Sequence, residues 1–138
     1  MWILDTDHIS FFQRQHPLVT QRVNAVNAED IATTIITVEE QLRGRLNIIR
    51  RASSPEELVS AYAKLEATLR FFKSINKLYF NQNASVFYQN LLNQKIRIGT
   101  KDLRIAAITL SVDGILVTRN RRDFIKVPGL RLEDWTVN

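Results

Sequence analysis

The sequence predicts an α/β protein, a short parallel sheet with helices on both sides. Strand-like and helix-like segments alternate along the chain. The clearest strand segments are apolar on both faces, as strands covered from two sides must be. The length fits a single core: at 16.0 kDa a compact chain keeps roughly 7,400 Å² of surface, about one-third of what it exposes when extended. One domain is therefore expected over residues 1–138.

Trp2-Ile3-Leu4, stopped by Asp5, reads as the first buried strand. Residues 8–15 and 17–27 read as helical turns broken at Pro17. The β-branched run 31–36 predicts a second strand, with Thr37 able to cap the helix that follows. On that helix Val38, Leu42, Leu46 and Ile49 form one stripe. Ser54, Pro55 and Glu57 form a helix start with a capping box. From there Leu58, Tyr62, Leu65, Leu69 and Phe72 run down one face, so residues 37–73 form a long helical hairpin. A short strand is expected within 75–80 and a helix over 83–94. Gly99-Thr100 opens a helix whose segment 103–110 is apolar nearly all round, hence buried on two sides. Residues 115–118 are a strand, 120–125 a helical turn, and 130–135 a closing strand.

Composition narrows the chemistry. With no cysteine, disulfides, thiolate catalysis and Cys-based metal sites are excluded. Two histidines, His8 and His16, are too few for a His-rich metal site. No apolar run approaches the ~20 residues of a membrane helix. The N-terminus has no basic leader, so a cytoplasmic protein is expected. The net charge is +5, and thirteen of the nineteen basic residues are Arg. Arginine suits bidentate phosphate contacts, which makes a polyanionic partner plausible.

Four carboxylates fall where a parallel sheet builds its sites, beyond the carboxyl ends of the strands. Asp5 ends the first strand, Glu40 lies near the start of the helix after the second, Asp102 opens the buried helix, and Asp123 follows the 115–118 strand. Each has an ordinary structural alternative. Thr37 to Glu40 and Asn120 to Asp123 both fit capping boxes, Asp102 complements a helix dipole, and Asp5 suits a strand-end turn. Together, four acids at one edge would repel and some would be forced to protonate. A hard cation removes that cost, and oxygen-only ligands suit Mg²⁺ or Mn²⁺. Gly44, one turn beyond Glu40, would let a phosphate backbone approach; the alternative is a tolerated helix glycine.

Four segments in order resemble a known family: Ile3-Leu4-Asp5-Thr6-Asp7, Ile36 through Gly44, Gly99 through Ala107, and Leu116 through Phe124. Together with the ending 127–135, they make the chain similar to the PIN-domain ribonucleases, above all those of the VapC type from toxin–antitoxin pairs. The resemblance implies a three-layer α/β/α PIN-like domain with a short parallel sheet and a protruding helical hairpin. It implies metal-dependent endoribonuclease activity, with Asp5, Glu40, Asp102 and Asp123 both catalytic and holding Mg²⁺ (or Mn²⁺). Thr6, Asp7, Thr118, Asn120, Arg43 and Arg121 would support the ligands or touch substrate, the alternative for Thr6 and Thr118 being ordinary strand-end hydroxyls. The family often has a small apolar residue where Glu39 stands and Leu where Gln41 stands, so the choice of Glu40 over Glu39 rests on spacing and helix geometry. Expected partners are an RNA substrate, a small antitoxin docked along 37–73 with Arg43, Arg45, Arg50 and Arg51 near its acidic groups, and a second copy in a homodimer.

Two other functions compete. Asp5-Thr6-Asp7 resembles the opening of a haloacid-dehalogenase-type phosphatase, but the later Gly-Asp acidic pair of that family is missing. A basic module that binds RNA or protein without catalysis would show no cleavage and no metal dependence.

Overall fold

The computed structural model describes residues 1–138. Its elements are β1 (Trp2–Leu4), α1 (Thr6–Gln13), α2 (Pro17–Asn24), a 3₁₀ turn (Ala28–Asp30), β2 (Ile31–Thr34), α3 (Ile35–Arg51) and α4 (Pro55–Lys73). There follow β3 (Asn76–Leu78), α5 (Gln82–Asn93), α6 (Thr100–Ser111), β4 (Ile115–Val117), α7 (Arg121–Phe124) and β5 (Arg131–Glu133). The strands form one sheet in the order β3-β2-β1-β4-β5, every pair parallel. The chain builds leftward from β1 to β3, then crosses to the other side for β4 and β5. The change of direction makes the carboxyl ends of β1 and β4 the switch point, where open α/β sheets place ligands.

Side-chain alternation explains the two-faced apolar strands. Ile3 and Leu116 point into one core with Leu103, Ile105, Ala106 and Phe124. Leu4, Ile31 and Val117 point into the other, with Ile9, Val19, Phe72 and Trp135. The architecture is thus the expected α/β/α sandwich. Gly114 is required by space: a Cβ there would run into the Ile3 side chain.

The boundary between β2 and α3 needs correction. The second strand stops at Thr34, and α3 begins at Ile35 rather than after Thr37. Thr34 is the cap, its Oγ1 accepting from the Thr37 N–H at 3.2 Å. β-Branched Ile35 and Ile36 read as strand, yet propensity is a weak prior beside a satisfied helix start. Glu40 therefore sits in the second turn, and the capping-box alternative for Thr37 and Glu40 falls away. Helix α4 buries only part of its apolar stripe. Its inward face is Ala61, Leu65, Thr68 and Phe72, while Leu58, Tyr62 and Leu69 are exposed. Small Ala61 and Thr68 let α3 come close, and Arg45 Nε donates to Thr68 Oγ1 at 2.9 Å. The Ser54 cap forms as expected, although Glu57 reaches back to Ser53 instead of the cap residue.

Candidate functional site

The site lies at the carboxyl end of β1 and β4. Asp5 follows β1, and its N–H extends the β1–β4 ladder by donating to the Val117 carbonyl at 3.0 Å. Its carboxylate is held at both oxygens: Oδ1 accepts from the Thr6 N–H at 2.8 Å and Oδ2 from Thr118 Oγ1 at 2.7 Å. Thr118 Oγ1 also accepts from the Asn120 N–H at 2.9 Å. Asp5 is only 6 % exposed and has no basic partner. Burial, reinforced by repulsion from Asp7, raises its pKa to about 7.

Glu40 reaches the same crevice from α3. Thr6 Oγ1 donates to Glu40 Oε1 at 3.0 Å and lies 3.0 Å from Thr37 Oγ1. A hydroxyl has one proton, so Thr37 donates to Thr6 and Thr6 to Glu40. Glu39 points elsewhere, pairing with Arg43 at 2.9 Å and Lys101 at 3.6 Å. That pairing occupies Arg43.

Asp102, in the first turn of α6, is pushed above the usual carboxylate range by partial burial, then by the charges of Glu40, Asp123 and Asp7. Asn120 Nδ2 bridges it to Asp123, at 3.3 Å from Asp102 Oδ2 and 3.2 Å from Asp123 Oδ2. The Asn120 side chain therefore spans two acids instead of capping α7. Asp123 sits at the rim, 4.0 Å from Lys126. Asp7 accepts from the Arg119 N–H at 2.9 Å, and Arg121 projects into solvent. A Cβ on Gly44 would meet open space, so neighbouring side chains do not demand a glycine there.

The four predicted acids and Asp7 thus lie near enough to feel one another's charge. No three of them are drawn together tightly enough to grip one ion in this arrangement. The chemistry of the set fits a hard divalent cation all the same. The donors are all oxygen, burial and then mutual repulsion raise Asp102, and no cation pairs with Asp5, Glu40 or Asp102.

His8 is a residue that sequence reasoning passed over, having weighed it only as a metal ligand. It is fully buried. Its Nε2 accepts from the Trp135 N–H at 3.1 Å, which leaves the proton on Nδ1, 2.8 Å from Asp7 Oδ1. The ring ties the C-terminal segment to the edge of the site. A histidine directly after an acid near a helix start was the available signal. His8→Ala would leave a cavity, a bare Asp7 oxygen and an unpaired Trp135 N–H. The expected loss is about 2–4 kcal/mol, read by urea unfolding.

No family model matches the chain. It is 28% identical to ribonuclease VapC1 of Haemophilus influenzae, with 99% of this chain and 98% of that protein aligned. It is 26% identical to the tRNA(fMet)-specific endonuclease VapC of Salmonella typhimurium, over 97% of each. The fold matches VapBC-1 from nontypeable Haemophilus influenzae with a TM-score of 0.80 at 24% identity, covering 99% of this chain and 98% of that one. It also matches VapBC-5 of Mycobacterium tuberculosis, a member of the VapBC family of toxin–antitoxin systems, at TM-score 0.57 and 24% identity, covering 98% and 97%. The resemblance to VapC-type PIN-domain ribonucleases, first visible in four short segments, therefore extends over the whole chain.

Proposed function

We propose that this chain is a VapC-type endoribonuclease of one PIN-like domain, the toxin of a pair, hydrolysing RNA phosphodiester bonds with a divalent cation. The observation that carries this reading is a set of carboxylates, Asp5, Glu40 and Asp102, gathered at the sheet's switch point with no cation paired to them.

Asp5, Glu40, Asp102 and Asp123 are the residues proposed to hold Mg²⁺ or Mn²⁺. Such an ion, when bound, acidifies a water and stabilises charge on the scissile phosphate. The chain supplies the orientation. Thr118 and the Thr6 N–H fix both oxygens of Asp5. The Thr37–Thr6 relay fixes Glu40. Asn120 holds Asp102 and Asp123 at a set spacing. The 19 basic residues against the 10 acids outside this set leave +9 to attract an RNA backbone. In the assay, purified protein with Mg²⁺ is expected to cleave RNA, and excess EDTA to stop it. Undiminished cleavage in EDTA would contradict the metal requirement.

The restraining partner is proposed to cover the hairpin. Leu46, Leu58, Val59, Tyr62 and Leu69 are exposed there, and the surface of 8313 Å² exceeds the roughly 7,400 Å² of a compact chain this size. A small antitoxin laid along residues 37–73, and a second copy of this chain, would bury such surface. Hydrogen exchange with and without the antitoxin is expected to show protection in 37–73. Protection confined to other segments would refute that placement, and a monomer by light scattering would refute the homodimer.

A further inference from the structure

Beyond the carboxylates, few of the basic residues are paired with an acid. Arg43 is matched by Glu39, Arg70 by Glu66, Lys126 by Asp123 and Arg131 by Asp113. Arg14, Arg45, Lys64 and Arg119 are among the many bases with no acid within ion-pair distance. Three of these four line one groove of about 550 Å³ between α1, α3 and α4, in which no acidic residue takes part. Its walls are Ser10, Gln13 and Arg14 from α1 and its end, Arg45 from α3, and Lys64 and Thr68 from α4. Gln41 lies beneath, its side-chain amide exchanging two 2.9 Å hydrogen bonds with Gln13.

The groove connects to the site through a single aromatic ring. The Arg14 guanidinium lies 5.4 Å from the centroid of Phe11, and the Arg119 guanidinium lies 5.9 Å from the same centroid. Arg119 donates its backbone N–H to Asp7 at the site's edge. Packing against a ring orients a guanidinium while leaving its N–H edges free, the geometry that suits a phosphate. At the other end, Arg45 gives only Nε to the buried Thr68 hydroxyl. From Thr6 at the site to Gln13 at the groove is roughly 10 Å along the α1 axis.

We propose that this track, from Arg119 across Phe11 and Arg14 to Arg45 and Lys64, binds the phosphate backbone of single-stranded RNA as it leaves the carboxylate cluster. The inference rests on the ribonuclease reading and adds the path of the substrate. An acidic protein segment would meet the same charges. RNA is favoured because this row of cations begins beside the cluster where the scissile phosphate must sit and continues along one groove that holds no acid.

The test is binding of a fluorescein-labelled single-stranded oligouridylate, followed by anisotropy in EDTA so that no cleavage intervenes, over a series of salt concentrations. The Arg14→Ala/Lys64→Ala double variant removes two charges without touching the Arg45–Thr68 contact. It is expected to bind about tenfold more weakly, with a salt slope shallower by roughly 0.7 for each lost contact. Arg70→Ala, which removes an exposed base paired with Glu66, is expected to bind as the unaltered chain does. Thermal melts confirm that both variants fold. An unchanged affinity and slope in the double variant overturns the track. So does a variant that keeps RNA binding and loses only the antitoxin. If the unaltered chain neither binds the oligonucleotide nor cleaves RNA, the ribonuclease reading itself has failed. If it cleaves RNA while the double variant binds normally, only the track has failed.

Discussion

Asp5→Asn, Glu40→Gln and Asp102→Asn are each expected to lower RNA cleavage by at least about 100-fold, the upper end of what losing a mere supporting partner costs a metal site. The substitutions keep shape and remove charge, so circular dichroism should be unchanged. Glu39→Gln, one residue from Glu40, is expected to keep most activity, because Glu39 spends its charge on Arg43 and Lys101 outside the crevice. The opposite pattern, with Glu39→Gln inactive and Glu40→Gln active, would move the site by one helical position.

The second large effect is on stability, and its sign follows from burial. Asp5 titrates near 3.8 when unfolded and at about 7 in the fold, so the folded state holds the proton more tightly. Between those values the folded chain binds more protons than the unfolded one, and stability falls as pH rises. With chelator present, the protein is expected to lose up to about 4 kcal/mol from this group between pH 4 and pH 7. Asp5→Asn removes the ionisation but keeps groups able to pair with the Thr6 N–H and with Thr118. It should be the more stable protein at pH 8, while near pH 4 the two should converge. Urea unfolding across this range reads both curves. A flat difference between them would show that Asp5 does not carry this pH dependence.

The same local logic explains how much could be read in advance. Trp2–Leu4 and Ile115–Val117 were legible because three apolar residues in a row, ended by Asp5 or followed by Thr118, admit few structures other than a doubly covered strand. Helix α6 was legible from Leu103 to Thr109, where every residue but Arg104 is buried. The boundary at Thr34–Ile35 was not, since two threonines three residues apart compete for one cap and the intervening isoleucines favour either state. Which part of the α4 stripe packs inward was not legible, because Ala61 and Thr68 look unremarkable beside Leu58 and Tyr62, yet small residues decide where helices touch. The acids were legible as a set. Their supports were not: Thr118 meets Asp5 across 113 residues and His8 meets Trp135 across 127, contacts that exist only once the sheet is assembled.

The central claim is that these carboxylates hold a divalent cation together. The most direct measurement is Mn²⁺ binding to the purified chain, followed by electron paramagnetic resonance as free ion disappears. The account predicts saturable binding to the unaltered chain, retained in Glu39→Gln and strongly weakened in Glu40→Gln and Asp102→Asn. Binding of equal strength in all four proteins, or none in the unaltered chain, would contradict it.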